Sequence, residues 1–267
     1  MVYKNTVFTA GDLCGKDFTH SEFVHCIFPK SGLQFINPPK GSRCLQVDGP
    51  TPVLRYGDMK QIILASSSIR RQELMQWLGV PFEIFPSDFA EEHVHFADFD
   101  DPEDYVATIA TGKALVVAQH YPDALIIASD TTVYLDGKVY GKPKNLDDAR
   151  RILSALRGHT HTVYTAVVMR DGETGEKRIE VVTSDVTFLK FSNDELEQYI
   201  ATSEPYDKAG GYALQGFAKR FVQDVQGSAM NVIGFPLITI RDMLENLGVE
   251  IEVDIERSIF EKTGYRS

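Results

Sequence analysis

The chain has 267 residues, 43% of them hydrophobic and 24% charged, a composition of folded globular proteins and too apolar for a disordered one. Against 38 Asp and Glu stand 27 Lys and Arg, a net charge of −11, which argues against non-specific binding to nucleic-acid backbones or membrane surfaces. No apolar run is long enough to span a bilayer, and MVYKNTVFTAGDLCGK lacks the basic-then-apolar start of a signal peptide, so the chain reads as a cytoplasmic enzyme.

Residues 1–60 form an extension of distinct pattern. Phe8, Leu13, Phe18, Phe23, Phe28 and Leu33 recur every five residues, a period of neither strand nor helix. The spacing fits either a short pentapeptide-repeat solenoid or an irregular hairpin. Cys14, Cys26 and Cys44 lie here too; an odd count without a CxxC pair reads as structural or incidental thiols. His20 and His25 do not complete a zinc spacing with them. INPPKGSRC and DGPTPVLRYGD then read as loop or linker.

From Gln61 the pattern alternates. QIILA predicts a short strand, Ser66–Ser68 a polar turn, and Ile69 to Leu78 a helix stopped by Gly79. PFEIF reads as a second strand, followed by an acidic loop and a helix from about Pro102 to His120. ALIIAS predicts a buried strand ending in Asp130, and TTVYLDGKVYG a hairpin around Asp136 and Gly137. Asn145 caps a helix closed by Gly158. HTVYTAVVM and IEVVTSDVTFLKF are strands joined by DGETGE, and Ser192 with Glu195 forms a capping box. KAGGYALQG, a strand RFVQDV and a helix after Pro236 complete the series. Such alternation predicts an α/β domain over residues 61–267, with antiparallel pairing in its middle.

Four places can carry chemistry. In Leu64 to Arg71 a strand runs into a serine turn and then a helix with two arginines in its first turn. Cations there oppose the helix dipole, so the arginines either hold an anion at the turn or point to solvent. Asp130, at a strand end, suits a metal ligand, a general base or a turn cap. Glu91 sits in an acidic stretch whose composition singles out no residue. Lys142, between Gly141 and Pro143, is a phosphate-binding cation or a turn lysine. The HxH pairs His93/His95 and His159/His161 read as strand or loop histidines rather than metal ligands.

LASSSIRR, the Glu91 position of PSDFAEEH, ASDTTV, GKP, GHTHTVYTAV, EPYDKAGGYALQG and NVIGFPL occur in this order. Together they resemble the Maf family of nucleoside triphosphate pyrophosphatases over roughly residues 61–245. The resemblance implies an α/β, inosine-triphosphatase-like fold, a mixed twisted sheet with helices and two lobes around a cleft. It implies metal-dependent hydrolysis between the α- and β-phosphates of a nucleotide, with Mg, Mn or Co as the divalent ion, and a homodimer. Carried over by position, Ser66, Ser68, Arg70 and Arg71 hold the phosphates, and Lys113 also faces them. Glu91 binds the metal, Asp130 joins it and serves as general base, Lys142 steadies the phosphate chain and Gln215 reads the base. Arg71, Thr131 and Gln215 match the dTTP/UTP branch; the 7-methyl-GTP branch carries Trp, Gln and Glu there. Ile69 replaces a usual proline, the stretch before Asn231 lacks a usual aromatic, and GFP replaces GLP. A cell-division or septum regulator without catalysis is the non-enzymatic alternative.

Overall fold

The computed structural model describes residues 60–265 throughout, and near the N-terminus the backbone of two strands, β1 (Val2–Lys4) and β2 (Glu22–Val24). The cysteines, most of the five-residue period and the linker lie outside the described residues. β1 and β2 pair in parallel, Val2 opposite Glu22 and Lys4 opposite Val24. Parallel strands are not the arms of a hairpin. Their offset, 22 − 2 = 20 residues, equals four steps of the five-residue period.

The main sheet has seven strands. β3 (Ile62–Leu64) leads through the serine turn into α1 (Ile69–Gln76), and β4 (Glu83–Ile84) returns along the edge. After an acidic loop comes α2 (Pro102–His120), capped by Asp101 with a proline in its first turn. β5 (Leu125–Leu135) and β6 (Lys138–Tyr140) form the hairpin, and α3 (Leu146–Leu156) follows its Asn145 cap. β7 (Thr160–Asp171) and β8 (Lys177–Phe188) are the long antiparallel pair, and α4 (Asn193–Ile200) starts at the expected capping box. β9 (Val222–Gly227), α5 (Ala229–Ile233), α6 (Leu237–Glu245) and α7 (Ile255–Thr263) end the chain. The strand order is β4-β3-β5-β7-β8-β9, with β6 beside β5. β3 is parallel to β4 and β5, and the other pairs are antiparallel.

Strand alternation divides the core. Ile63, Ala65, Ile126, Ala128, Ala166 and Val168 face α2, whose Ala107, Ala110, Ala114 and Ala118 let it lie close. Ile62, Leu64, Leu125, Ile127, Val167 and Met169 face the opposite layer, which holds α1, α3, α4, α6 and α7. Ile63, Ile126 and Ile127 are fully buried, each contributing about 1.5–3 kcal/mol of hydrophobic stabilisation.

Four details depart from the sequence reading. Asp130 is not a strand end: β5 continues to Leu135 because β7 pairs with it from Leu125 to Tyr134. PFEIF supplies only two exposed strand residues, since β4 meets nothing but the short β3. Residues Phe217–Phe221 form a 3₁₀ turn before β9. Helices α5 and α7 were not expected; both are capped by side chains, Ser228 and Asp254 respectively.

Candidate active site

The turn after β3 is built by its own serines. Ser66 Oγ accepts from Ser68 N at 3.2 Å, and Ser68 caps α1 by accepting from Arg71 N at 3.5 Å. Ser66 is buried and does not line the cavity beyond the turn, whereas Ser67 and Ser68 do. The first turn of α1 holds no acid, so its dipole and both arginines present positive charge together. The two arginines diverge. Arg70 reaches across the cavity to Asp207, Nη1 to Oδ2 at 2.6 Å and Nη2 to the carbonyl at 3.2 Å. Arg71 turns inward and donates to Gly234 O, Ser129 O and Thr131 Oγ1. Burial lowers the pKa of Arg71.

Asp130 shares its strand face with Ile126 and Ala128, so it points toward α2, which carries Lys113. Lys113 Nζ lies 2.6 Å from Asp130 Oδ1 and 2.8 Å from Glu91 Oε1. Asp130 is almost enclosed, and Glu91 projects from a 3₁₀ turn, Glu91–His93, with half its side chain exposed. That turn is held close to α2 by Phe89, whose ring fills the space above Gly112. Tyr105, also on α2, lines the same wall; burial and the charges of Asp130 and Glu91 raise its pKa.

Opposite stand Lys142 and Gln215. The Lys142 turn is pinned where Gly210 N donates to Gly141 O at 3.0 Å. The Gln215 loop is fixed just beyond it, where the Glu204 carboxylate accepts from Phe217 N and Ala218 N at 3.0 and 3.2 Å. These groups line one cavity of about 670 Å³, within the range of small-molecule sites. It opens at the carboxyl end of β3, the usual place for ligands in open α/β sheets.

Apart from Ser66, every residue singled out in the sequence lines this cavity: Ser68, Arg70, Arg71, Glu91, Lys113, Asp130, Thr131, Lys142 and Gln215. Sequence reasoning missed Tyr105, Asp207, Lys208 and Tyr212, which line it too. Asp207, Lys208 and Tyr212 fall inside EPYDKAGGYALQG, whose charged pair was the available signal. Burial opposes it, but hydrogen bonds from Lys208 and Arg70 hold the Asp207 carboxyl below its usual range. His161 lies behind Tyr212, its Nε2 2.7 Å from the phenol oxygen.

The family model described as Maf-like protein matches residues 61–247. The chain belongs to the Maf family. The dTTP/UTP pyrophosphatase of Syntrophus aciditrophicus is 40% identical over 189 residues, 71% of this chain and 91% of that protein. One from Clostridium botulinum is 43% identical over 186 residues, 69% and 98% of the two chains. One from Dictyoglomus thermophilum is 39% identical over 192 residues, 72% and 98%. The Maf match begins beside β3 and ends past α6. Helix α7 lies beyond it, tied to α6 by Arg241 and Glu256 at 2.7 Å. Arg71 Nη2 donates to Thr131 Oγ1 at 3.0 Å.

The carboxylates fit a divalent ion. Glu91 and Asp130 converge on one point, now marked by the Lys113 ammonium. Two hard carboxylate oxygens complemented by substrate phosphates are a common set for Mg²⁺ or Mn²⁺. Among the described residues there is no group of three or more His, Cys, Asp or Glu side chains that could hold a metal ion. No helix of the described residues is long and apolar enough to cross a membrane.

Proposed function

We propose that the protein hydrolyses dTTP and UTP, and modified pyrimidine nucleotides of the same shape, to the nucleoside monophosphate and pyrophosphate. The observation that carries this reading is the convergence of Glu91, Asp130 and Lys113 beside a serine turn, Arg70 and Lys142 in one cavity.

In this reaction water attacks the α-phosphorus and the bond from that phosphorus to the oxygen bridging the β-phosphorus breaks. Asp130 takes the proton of the attacking water. Arg70, Lys142 and the amides of the serine turn receive the β- and γ-phosphates, which leave as pyrophosphate. Glu91 and Asp130 would hold a divalent ion, which supplies neutralisation of charge building on the phosphate oxygens. Gln215 offers both a donor and an acceptor to a pyrimidine edge. Residues 61–267 form the catalytic unit and residues 1–60 an extension to it. The same reading makes the protein a cytoplasmic homodimer acting on free nucleotides.

The test is pyrophosphate release from dTTP, UTP, CTP, GTP and 7-methyl-GTP with Mg²⁺ or Mn²⁺. Release from dTTP and UTP, abolished by Asp130→Asn, is the expected result. Gln215→Glu lowers dTTP turnover more than it weakens metal binding. Release from 7-methyl-GTP alone, or from none of the panel, would overturn the reading.

A further inference from the structure

Arg71 fills a gap in the sheet. On one edge of β5, β3 pairs only as far as Ile127, and β6 pairs only from Val133 onward, its last residue Tyr140 opposite Val133. Among the described residues no strand pairs that edge over residues 128–132. Carbonyls two apart along a strand point to the same edge. Ile127 O accepts from Ala65 N at 2.8 Å, and Ser129 O is the next carbonyl on that side. Arg71 Nη1 donates to it at 2.6 Å. The same guanidinium donates through Nη2 to Thr131 Oγ1 at 3.0 Å and through Nε to Gly234 O at 2.9 Å.

The network beyond it is directional. Thr165 Oγ1 donates to Asn231 O at 3.0 Å, so Thr131 Oγ1, 3.0 Å away, accepts from Arg71 and donates to Thr165. Ser129 Oγ donates to Gly234 O at 3.3 Å. Gly234 has φ +96°, and a Cβ there would lie 2.8 Å from Thr131 Oγ1 and 3.6 Å from Arg71 Nη2. One guanidinium therefore ties α1, β5 and the end of α5 together.

Asp130 stands between the two residues that Arg71 holds. We propose that Arg71 is a positioning residue, fixing the Asp130 carboxylate through Ser129 and Thr131, and that Arg70 rather than Arg71 meets the phosphates. This deepens the nucleotide-hydrolysis reading and rests on it. The arginines divide the work by surroundings. Arg70 is paired with an exposed carboxylate that an anion can displace, whereas Arg71 spends its donors on carbonyls and a hydroxyl that do not leave. A shift of about 1 Å in a reacting group costs on the order of 10²-fold in rate.

The test compares Arg71→Lys, Thr131→Val, Gly234→Ala and Arg70→Lys in the full chain. Steady-state dTTP hydrolysis is measured beside calorimetric binding of inorganic pyrophosphate. Arg71→Lys is expected to lower kcat at least tenfold, with the dTTP KM and the pyrophosphate Kd within about twofold of wild type. Thr131→Val and Gly234→Ala, which loosen or crowd the same knot without changing charge, give the same kcat-selective pattern. Arg70→Lys raises both KM and the pyrophosphate Kd. An Arg71→Lys protein whose pyrophosphate Kd rises as in Arg70→Lys, or whose kcat is unchanged, overturns the proposal. The pyrophosphate arm reads Arg71 without turnover. A wild-type protein that hydrolyses no nucleotide overturns the catalytic reading instead. Circular dichroism and melting temperature identify any variant that fails to fold, and the remaining variants then decide.

Discussion

Lys113 Nζ lies 2.6 Å from Asp130 Oδ1, and the same ammonium lies 2.8 Å from Glu91 Oε1. One cation on α2 thus draws together an acid from a central strand and an acid from a loop. If Glu91 and Asp130 hold the divalent ion as proposed, the ammonium and the ion compete for the same oxygens, while the ammonium also sets their spacing. In Lys113→Met the two anions lose the ammonium that is ion-paired with both of them. Mn²⁺ is expected to bind about tenfold tighter without nucleotide, a gain of ~1.4 kcal/mol. Turnover of dTTP falls by about 10²-fold as the carboxylates lose register. Calorimetry and steady-state kinetics separate the two effects. Weaker Mn²⁺ binding would mean that Lys113 assembles the pair and does not compete for it.

Asp207 is a carboxylate paired with Arg70, the arginine proposed to meet the phosphates. Its Oδ2 takes Arg70 and its Oδ1 takes Lys208, and its side chain is 63% exposed. An exposed pair contributes less than about 1 kcal/mol to stability, so Asp207→Asn should leave the melting temperature nearly unchanged. It frees two cations for ligand. Pyrophosphate should inhibit the variant about threefold to tenfold more tightly, an effect that shrinks at high salt. Weaker inhibition would assign Asp207 the orienting of Arg70.

Local signals carried most of the fold. The boundaries of α2 and the capping box at Ser192 and Glu195 depend on side chains that touch their own backbone, and both were legible. Asp130 and Lys142, whose residue types left several roles open and which the family resemblance singled out, both line the cavity. What was hidden depends on partners distant in sequence. Asp130 lies in mid-strand because β7, about 36 residues on, pairs across it (Asp130 with Ala166). Arg70 and Arg71 look alike in sequence, yet one faces Asp207 and the other Ser129 because a neighbouring strand stops at Leu64. Lys208 and Tyr212 were quoted within a motif but carry no local mark of facing the cavity.

Gly112 sets how deep the Glu91 loop docks. A Cβ built there would lie 2.4 Å from the Phe89 ring, and Phe89 stands two residues before Glu91. The ring must move if the helix gains a methyl group, and overpacking of this kind costs about 1–3 kcal/mol. Gly112→Ala should remain folded with a lowered melting temperature. Displacement of Glu91 should weaken Mn²⁺ binding about tenfold and lower dTTP turnover similarly. Phe89→Leu in the same background makes room and is expected to restore part of both. A double variant no better than Gly112→Ala would detach the ring from the effect.

His161 links stability to pH. It is buried, its Nε2 lies 2.7 Å from Tyr212 Oη, and its ring meets Phe188 edge-on at 4.9 Å. Among the described residues Nδ1 has no partner. Burial lowers its pKa from 6.5 to about 3, so the native ring stays neutral where the unfolded one takes up a proton. The unfolded state then binds more protons between these two values. Stability from this group is fully present above pH 6.5 and is lost as the pH falls toward 3, by up to about 1.4 kcal/mol per pH unit. The carboxylates with lowered values, Asp148, Asp171, Asp207, Glu195, Glu197 and Glu256, contribute above their unfolded pKa near 4 and lose that contribution mainly as the pH falls below it. The window from pH 6 to 5 therefore isolates the histidine. Urea midpoints should fall across that window in the wild type and stay nearly flat in His161→Gln, with equal slopes in the two proteins ruling the assignment out. Because the native ring stays neutral across that window, its hydrogen bond to Tyr212, which lines the cavity, persists there, and the acidification acts on stability rather than on the cavity wall.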